Sequence, residues 1–183
     1  MKRYVLYINI MLFWAFMFCS CGNTDNQEQE QISSDETSSM VVKPFSDSLK
    51  VDTFRLNLLG SRPEDMQLSF TITSYEGRKI YDIKIDAKEL FKNYDVKNLN
   101  KEKNQLQFLK DEVGRFLDEE NFMEPAVTEQ ESPDANVPDK LFYEELKKTQ
   151  LNGFSYRLGK DKKRYIAWSS EGNKVKLYYS CCN

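Results

Sequence analysis

The sequence predicts an α+β domain in which one antiparallel sheet, built from two three-stranded meanders, carries helices packed on one face. Three observations lead there. Apolar residues alternate with polar ones in two separate blocks, Phe54 to Ile85 and Phe154 to Cys181, and the side chains of a strand switch faces with period two. Between the blocks, Leu106, Leu109, Val113, Phe116 and Leu117 recur at three- and four-residue steps, which is the stripe of an amphipathic helix. Short turn signals separate the members of each block, so neighbouring strands form hairpins and pair antiparallel. The order is β3-α-β3.

Ahead of this domain the chain carries an address. Lys2 and Arg3 precede an apolar run from Val5 to Phe18, and Ser20-Cys21 gives way abruptly to Gly22-Asn23-Thr24-Asp25. A positive start, a short apolar stretch and a small residue at a cut are the parts of a secretory signal. The run is too short to span a bilayer, which needs roughly 20 residues. Phe18-Cys19-Ser20-Cys21 resembles the lipobox of bacterial lipoproteins. That resemblance implies removal of residues 1–20 and a lipid on Cys21, which would hold the chain to a membrane. Cleavage before Cys19 would place bulky Phe18 at the cut, so Cys21 is the candidate. An ordinary cleaved signal without lipid and an uncleaved anchor are the other two readings.

Residues 21–45 read as an acidic, disordered tether. From Gly22 to Ser39 the acids Asp25, Glu28, Glu30, Asp35 and Glu36 stand among Asn, Gln, Ser and Thr with no base, a composition that cannot bury enough apolar surface to fold. Such a chain averages roughly 25 Å end to end and reaches about 70 Å when extended, clear of a headgroup layer. Asp25, Glu28 and Glu30 also resemble a loose version of the acidic signal that directs Bacteroidota lipoproteins to the outer face; a merely soluble linker is the other reading.

Residues 46–183, about 140 in number, suit a single domain with one core. Phe54, Leu56 and Leu58 make the first strand, ended by Gly60-Ser61-Arg62-Pro63. Met66, Leu68, Phe70 and Ile72 make the second, and Tyr81, Ile83 and Ile85 the third, across a turn at Glu76-Gly77. Asp86 and Glu89 have capping-box spacing before a short helix with Leu90 and Phe91. The main helix follows. The stretch from Asp118 to Asp139 then carries many acids, no base, and prolines at 125, 133 and 138, so residues 124–137 read as an irregular acidic loop. A loop of that length is either functional or an expendable insertion. Asp139 can cap a further helix to Gln150, ended by Asn152-Gly153. Three last strands follow, with turns at Gly159-Lys160-Asp161-Lys162 and Glu171-Gly172-Asn173.

The segments Gly153-Phe154-Ser155-Tyr156, Tyr165-Ile166-Ala167-Trp168-Ser169 and Val175 to Cys182, taken with the lipobox, resemble small lipoproteins of Bacteroidota of unassigned activity. The likeness covers the domain from about Asp47 onward. It implies an outer-membrane lipoprotein of the cell envelope, periplasmic or surface-exposed, and no chemistry.

Composition narrows the chemistry further. The chain has no histidine, which removes Ser-His-Asp and Cys-His nucleophile systems and His-ligated metals. Loss of Lys2 and Arg3 with the signal would move the formal net charge of −3 to −5, a balance unlike that of a nucleic-acid binder. Cys181 and Cys182 form a candidate thiol pair. On a strand they point to opposite faces, giving one buried and one exposed thiol; a disulfide between them, or an intermolecular or metal role, are the alternatives. Lys160, Lys162, Lys163 and Arg164, near Tyr165 and Trp168, make a candidate basic-aromatic patch for phosphate or acidic glycan; as a solvated hairpin it would have no such role. The same patch can also meet the chain's own acidic loop. Asp118, Glu119 and Glu120 supply carboxylates of the kind glycosidases and calcium sites use, but their place at a helix end reads as a solvated terminus. No catalytic residue, metal site or cofactor is expected. The leading expectation is a lipid-anchored, non-catalytic binding or structural module whose partner is an envelope protein or glycan. The alternative is an envelope enzyme, either a carboxylate-dependent glycan hydrolase or a thiol-based redox factor.

Overall fold

The computed structural model describes residues 37–95 and 97–181, all within one compact unit. The signal segment 1–20, Cys21, the tether as far as residue 36, and Cys182 lie outside the described residues. The fold is α+β with antiparallel sheets, as the alternation implies. It differs from the expected single sheet in having two, each four-stranded and each in simple chain order.

The first sheet contains β1 (Ser38–Pro44), β2 (Val51–Leu59), β3 (Gln67–Thr73) and β4 (Lys79–Asp86). β1 was expected to belong to the tether. Instead Val41 stands opposite Phe54 in β2, so the Met40-Val41-Val42 run supplies one inward apolar group and an edge strand. Its flanking serines had hidden it in a polar composition. Phe54 faces Ile72, Leu56 faces Phe70, and Leu68 faces Ile85, which puts these apolar side chains of the central strands on one face, while Val51 and Leu59 at the ends of β2 are exposed. The opposite face carries Thr53, Arg55, Asn57, Ser69 and Thr71, half-buried or exposed.

The second sheet contains β5 (Phe122–Met123), β6 (Gly153–Arg157), β7 (Lys163–Ser169) and β8 (Lys174–Cys181). Its Phe122, Phe154, Ile166 and Leu177 align across the strands and pack on the first sheet. The Phe154 ring lies 5.4 Å from Phe54 and 5.2 Å from Phe70. The two meanders therefore stack face to face, because each presents a complete apolar face and one sheet's face covers the other's. Tyr81 and Tyr156 join the sheets through a hydroxyl–hydroxyl hydrogen bond of 2.9 Å.

Helix α1 (Ala87–Leu90) follows β4, and α2 (Glu102–Phe116) adds Leu109, Val113 and Phe116 to the same core. The expected capping box does not form at α1. The Asp86 side chain makes no cap hydrogen bond and instead accepts from Gln67 Nε2 at 2.7 Å, its cross-strand neighbour.

Helix α3 (Lys140–Thr149) covers the outer face of the second sheet. There Phe142, Tyr143 and Leu146 pack on Ala167 and Tyr178, forming a second, smaller core. Small residues make room for it: Gly153, Ser155 and Ala167 lie on that face, while Phe154, Tyr156, Ile166 and Trp168 point the other way. Asp139 caps α3 as expected, with Oδ1 accepting from the Phe142 N–H at 3.0 Å. The Lys176 ammonium hydrogen-bonds its other oxygen and lies 4.5 Å from the centre of the Phe142 ring. The Lys176 hydrogen bond, then the Phe142 N–H, holds the Asp139 carboxyl below its usual range. A carboxyl lowered in the folded state stabilises fully above the ordinary carboxylate value of about 3.9, and that contribution is lost as pH falls through the folded value. Asp139→Ala is expected to cost about 1 kcal/mol of stability at neutral pH. Asp139→Asn keeps the cap and should flatten stability against pH below about 4; chemical denaturation at pH 7 and pH 3 checks both.

Candidate functional site

A cavity of about 300 Å³ opens between the outer face of the second sheet, α3 and the acidic loop. Its walls are Tyr165 from β7, Tyr178 and Tyr179 from β8, Tyr143 from α3, Met123 from β5, and Ala126, Glu131, Ser132 and Asp134 from the loop. This size lies at the low end of ligand pockets, roughly 300–1,000 Å³.

Strand periodicity alone would put only alternate residues of β8 on this wall. A bulge changes that: Tyr165 stands opposite Tyr179 while Ile166 stands opposite Leu177, so Tyr178 is the additional residue and both tyrosines reach the same side. The rings are set at steep angles to each other. Tyr165 meets Tyr178 at 6.0 Å and 67° and Tyr179 at 5.4 Å and 83°, which makes corners rather than one flat platform. The ammonium of Lys163 lies 5.5 Å from the centre of the Tyr165 ring.

The loop is held down at several points. The Ala126 N–H donates to Leu151 O at 2.8 Å and the Ser180 N–H to Asn136 O at 3.2 Å. Gln150 Nε2 donates to Val127 O at 3.2 Å, and Ala126, Val127 and Val137 are buried in the second core. The expendable-insertion reading does not suit a segment whose apolar residues fill that core. Asp134 accepts from the Asn136 N–H at 2.7 Å and the Tyr179 hydroxyl at 3.1 Å. The Asn136 N–H foremost, with Tyr179 also contributing, keeps the Asp134 carboxyl below its usual range. Glu131 Oε2 accepts from the Thr128 N–H at 2.6 Å.

Two wall residues stand out. Tyr143 and Tyr178 are only 6% and 4% exposed, yet neither hydroxyl makes a hydrogen bond to a described residue. Among the described residues the fully buried unpaired side-chain oxygens are Ser46 Oγ and Ser74 Oγ; the Tyr143 and Tyr178 hydroxyls belong instead to rings that line the cavity, where a ligand can supply the partner each lacks. Burial pushes both phenols up, helped at Tyr178 by Tyr165 and Glu131 and at Tyr143 by Glu131 and Asp134. Both are therefore neutral at physiological pH.

Gly153 makes room for this wall. A Cβ there would meet the Tyr178 hydroxyl at 2.8 Å, Ala126 Cβ at 3.0 Å and Ala126 Cα at 3.2 Å. Gly153→Ala should therefore cost about 1–3 kcal/mol through overpacking and move the Tyr178 ring. Thermal unfolding with tyrosine-ring NMR checks it; an unchanged melting temperature and unchanged ring shifts would refute the tight fit.

A second cavity, about 390 Å³, lies between the α3 N-terminus and the β7–β8 turn. Its buried carboxylate is already paired: Glu145 accepts from Ser169 Oγ at 2.8 Å and the Glu171 N–H at 3.1 Å.

The basic-aromatic residues do not converge. Lys160 and Lys162 occupy the β6–β7 turn, where Gly159 is fixed by a φ of +80° and by Lys92 O, 2.8 Å from any added Cβ. Arg164 stands opposite Tyr156 on the inner face, as does buried Trp168, with the Arg78 guanidinium 5.7 Å from the Trp168 ring. Lys163 and Tyr165 point outward, and of the six only Tyr165 lines the cavity. The acidic stretch meets Lys43, which pairs with Glu119 at 2.8 Å and with Glu124 at 4.0 Å, and of the patch Lys163 feels the charge of Glu120. Cys181 ends β8 half-buried and disulfide-bonded, in place of the expected free thiol. Tyr143, Tyr178, Tyr179, Glu131 and Asp134 were not anticipated; the adjacent tyrosines and the length of the acidic loop were the only sequence signals pointing to them.

Among the described residues no group of three or more His, Cys, Asp or Glu is placed to hold a metal, and no helix is long and apolar enough to cross a membrane. Compared with protein-family models, curated proteins and solved structures, the chain matches none.

Proposed function

We propose that this chain is a lipid-anchored, non-catalytic binding module of the bacterial cell envelope, with the tyrosine-lined cavity as its ligand site. The observation that carries the binding role is the pair of largely buried tyrosines, Tyr143 and Tyr178, whose hydroxyls have no partner among the described residues and which line the cavity wall. The signal-like segment and Cys21 support the anchor; the partner would be an envelope protein or glycan met at the membrane. A glycan hydrolase is less well supported. Its general acid needs a carboxyl raised toward neutrality, whereas Asp134 in the cavity is lowered.

Detergent extraction of the full chain followed by intact-mass measurement tests the anchor. A chain starting at Cys21 with acyl mass is expected; an unlipidated chain starting elsewhere would overturn it. The binding role is tested by titrating the same protein with a panel of amines, sugars and short peptides while following the cavity tyrosine rings by NMR. Saturable shifts with at least one member are expected, and rings that respond to none would remove the cavity as a site.

A further inference from the structure

We infer that the cavity takes a primary alkylammonium group, carried by a free amine or by a lysine side chain. The inference deepens the binding reading above and rests on it. The wall offers acceptors and aromatic faces, and no lysine or arginine is among the described residues that line it. Glu131 and Asp134 are acceptor-only when ionised, and Asp134 is held ionised by its N–H and hydroxyl donors. The Tyr143 and Tyr178 oxygens, lacking other partners, can accept from N–H donors.

The ring geometry separates this ligand from a sugar. Sugars stack on a flat aromatic face, whereas rings meeting edge to face at 67° and 83° offer no flat platform, and a compact cation needs only one open ring face beside its acceptors. The protein already uses this attraction within itself, with Lys163 beside Tyr165. An ammonium with three N–H donors on a narrow apolar stem combines the charge, the donors and the width that a cavity of about 300 Å³ accepts. A quaternary ammonium would leave the two hydroxyls without a donor. A carboxylate or phosphate ligand would face Glu131 and Asp134 and be repelled.

The test titrates the full-length protein in detergent with n-butylammonium, N-acetyl-lysine amide, tetramethylammonium and methyl glucoside, read by calorimetry and by the NMR signals of the four cavity tyrosines. n-Butylammonium is expected to bind saturably and shift Tyr143 and Tyr178. Tyr178→Phe, which keeps the ring and the fold, should weaken it about three- to tenfold, the worth of one hydrogen bond. Glu131→Gln keeps an acceptor for the Thr128 N–H and removes a charge, and should weaken it by a similar factor. Comparable affinity for N-acetyl-lysine amide assigns the source to a lysine side chain; a clear preference for n-butylammonium assigns it to a free amine. Tetramethylammonium binding as tightly as n-butylammonium, or Tyr178→Phe leaving affinity unchanged, would overturn the inference. Methyl glucoside shifting the rings while amines do not would overturn it and leave the binding module standing. Silence from every probe in the wider panel would take down both.

Discussion

Phe154→Ala is expected to lower the free energy of unfolding by about 3–5 kcal/mol, the usual cost of deleting a buried aromatic side chain. Phe154 is fully buried, and its ring touches both sheets and α2. Phe54 and Phe70 lie at 5.4 and 5.2 Å from one side, Phe122 at 4.9 Å from its own sheet, and Phe116 at 5.8 Å from the helix. Neighbours anchored on four separate elements cannot all move inward to fill the gap, so the cavity term should be near the upper end of its range. In a protein of this size the melting temperature should fall by roughly 10 °C. Phe154→Leu, which keeps most of the volume, should cost less than about 1.5 kcal/mol. Thermal and urea unfolding of the three proteins provide the measurement. Equal stability of the alanine variant would mean that the sheets do not stack through this ring.

Asp52→Ala should be nearly as damaging, by about 3 kcal/mol, for a polar reason. Asp52 is fully buried on β2, where its Oδ2 accepts from the Ser46 N–H at 2.7 Å and its Oδ1 from the Tyr75 N–H at 2.9 Å. One carboxylate thus ties the β1–β2 connection to the β3–β4 turn. Alanine leaves two amide donors without acceptors, each costing about 1–3 kcal/mol where water cannot reach. Asp52→Asn keeps one acceptor and turns an NH₂ group toward the other N–H, so about half the loss is expected. Amide hydrogen exchange locates the effect: Ser46 and Tyr75 should exchange faster in both variants, while the Tyr178 amide should not change. Unaltered exchange at Ser46 and Tyr75 would show that the carboxylate does not hold these turns.

These two residues illustrate how differently the parts of the molecule could be read in advance. Phe154 alternates with Tyr156 across Ser155, so its place on an apolar strand face was legible from local period alone. Asp52 sits beside Val51 at the start of a strand, where nothing local says that an acid is buried. Its partners lie across a connection and across another hairpin, and only the closed sheet brings them together. β1 was missed because one inward residue, Val41, gives no alternation to read. The Asp139 cap was legible because a cap and its amide lie three residues apart; the one at Asp86 failed because a cross-strand glutamine competed for the same carboxylate.

The sequence by itself determined the α+β class, the faces of the central strands, the main helix stripe and the turns, because each depends on which way a side chain points from its own backbone. Tertiary structure alone decided that the meanders stack as two sheets, that small residues in β6 and β7 receive α3, and that tyrosines from positions 143, 165, 178 and 179 surround one cavity beneath the acidic loop. What lies opposite a face is settled by packing between segments far apart in the chain. The bulge that turns both Tyr178 and Tyr179 to the same side is set by pairing with β7, which no pattern within β8 contains.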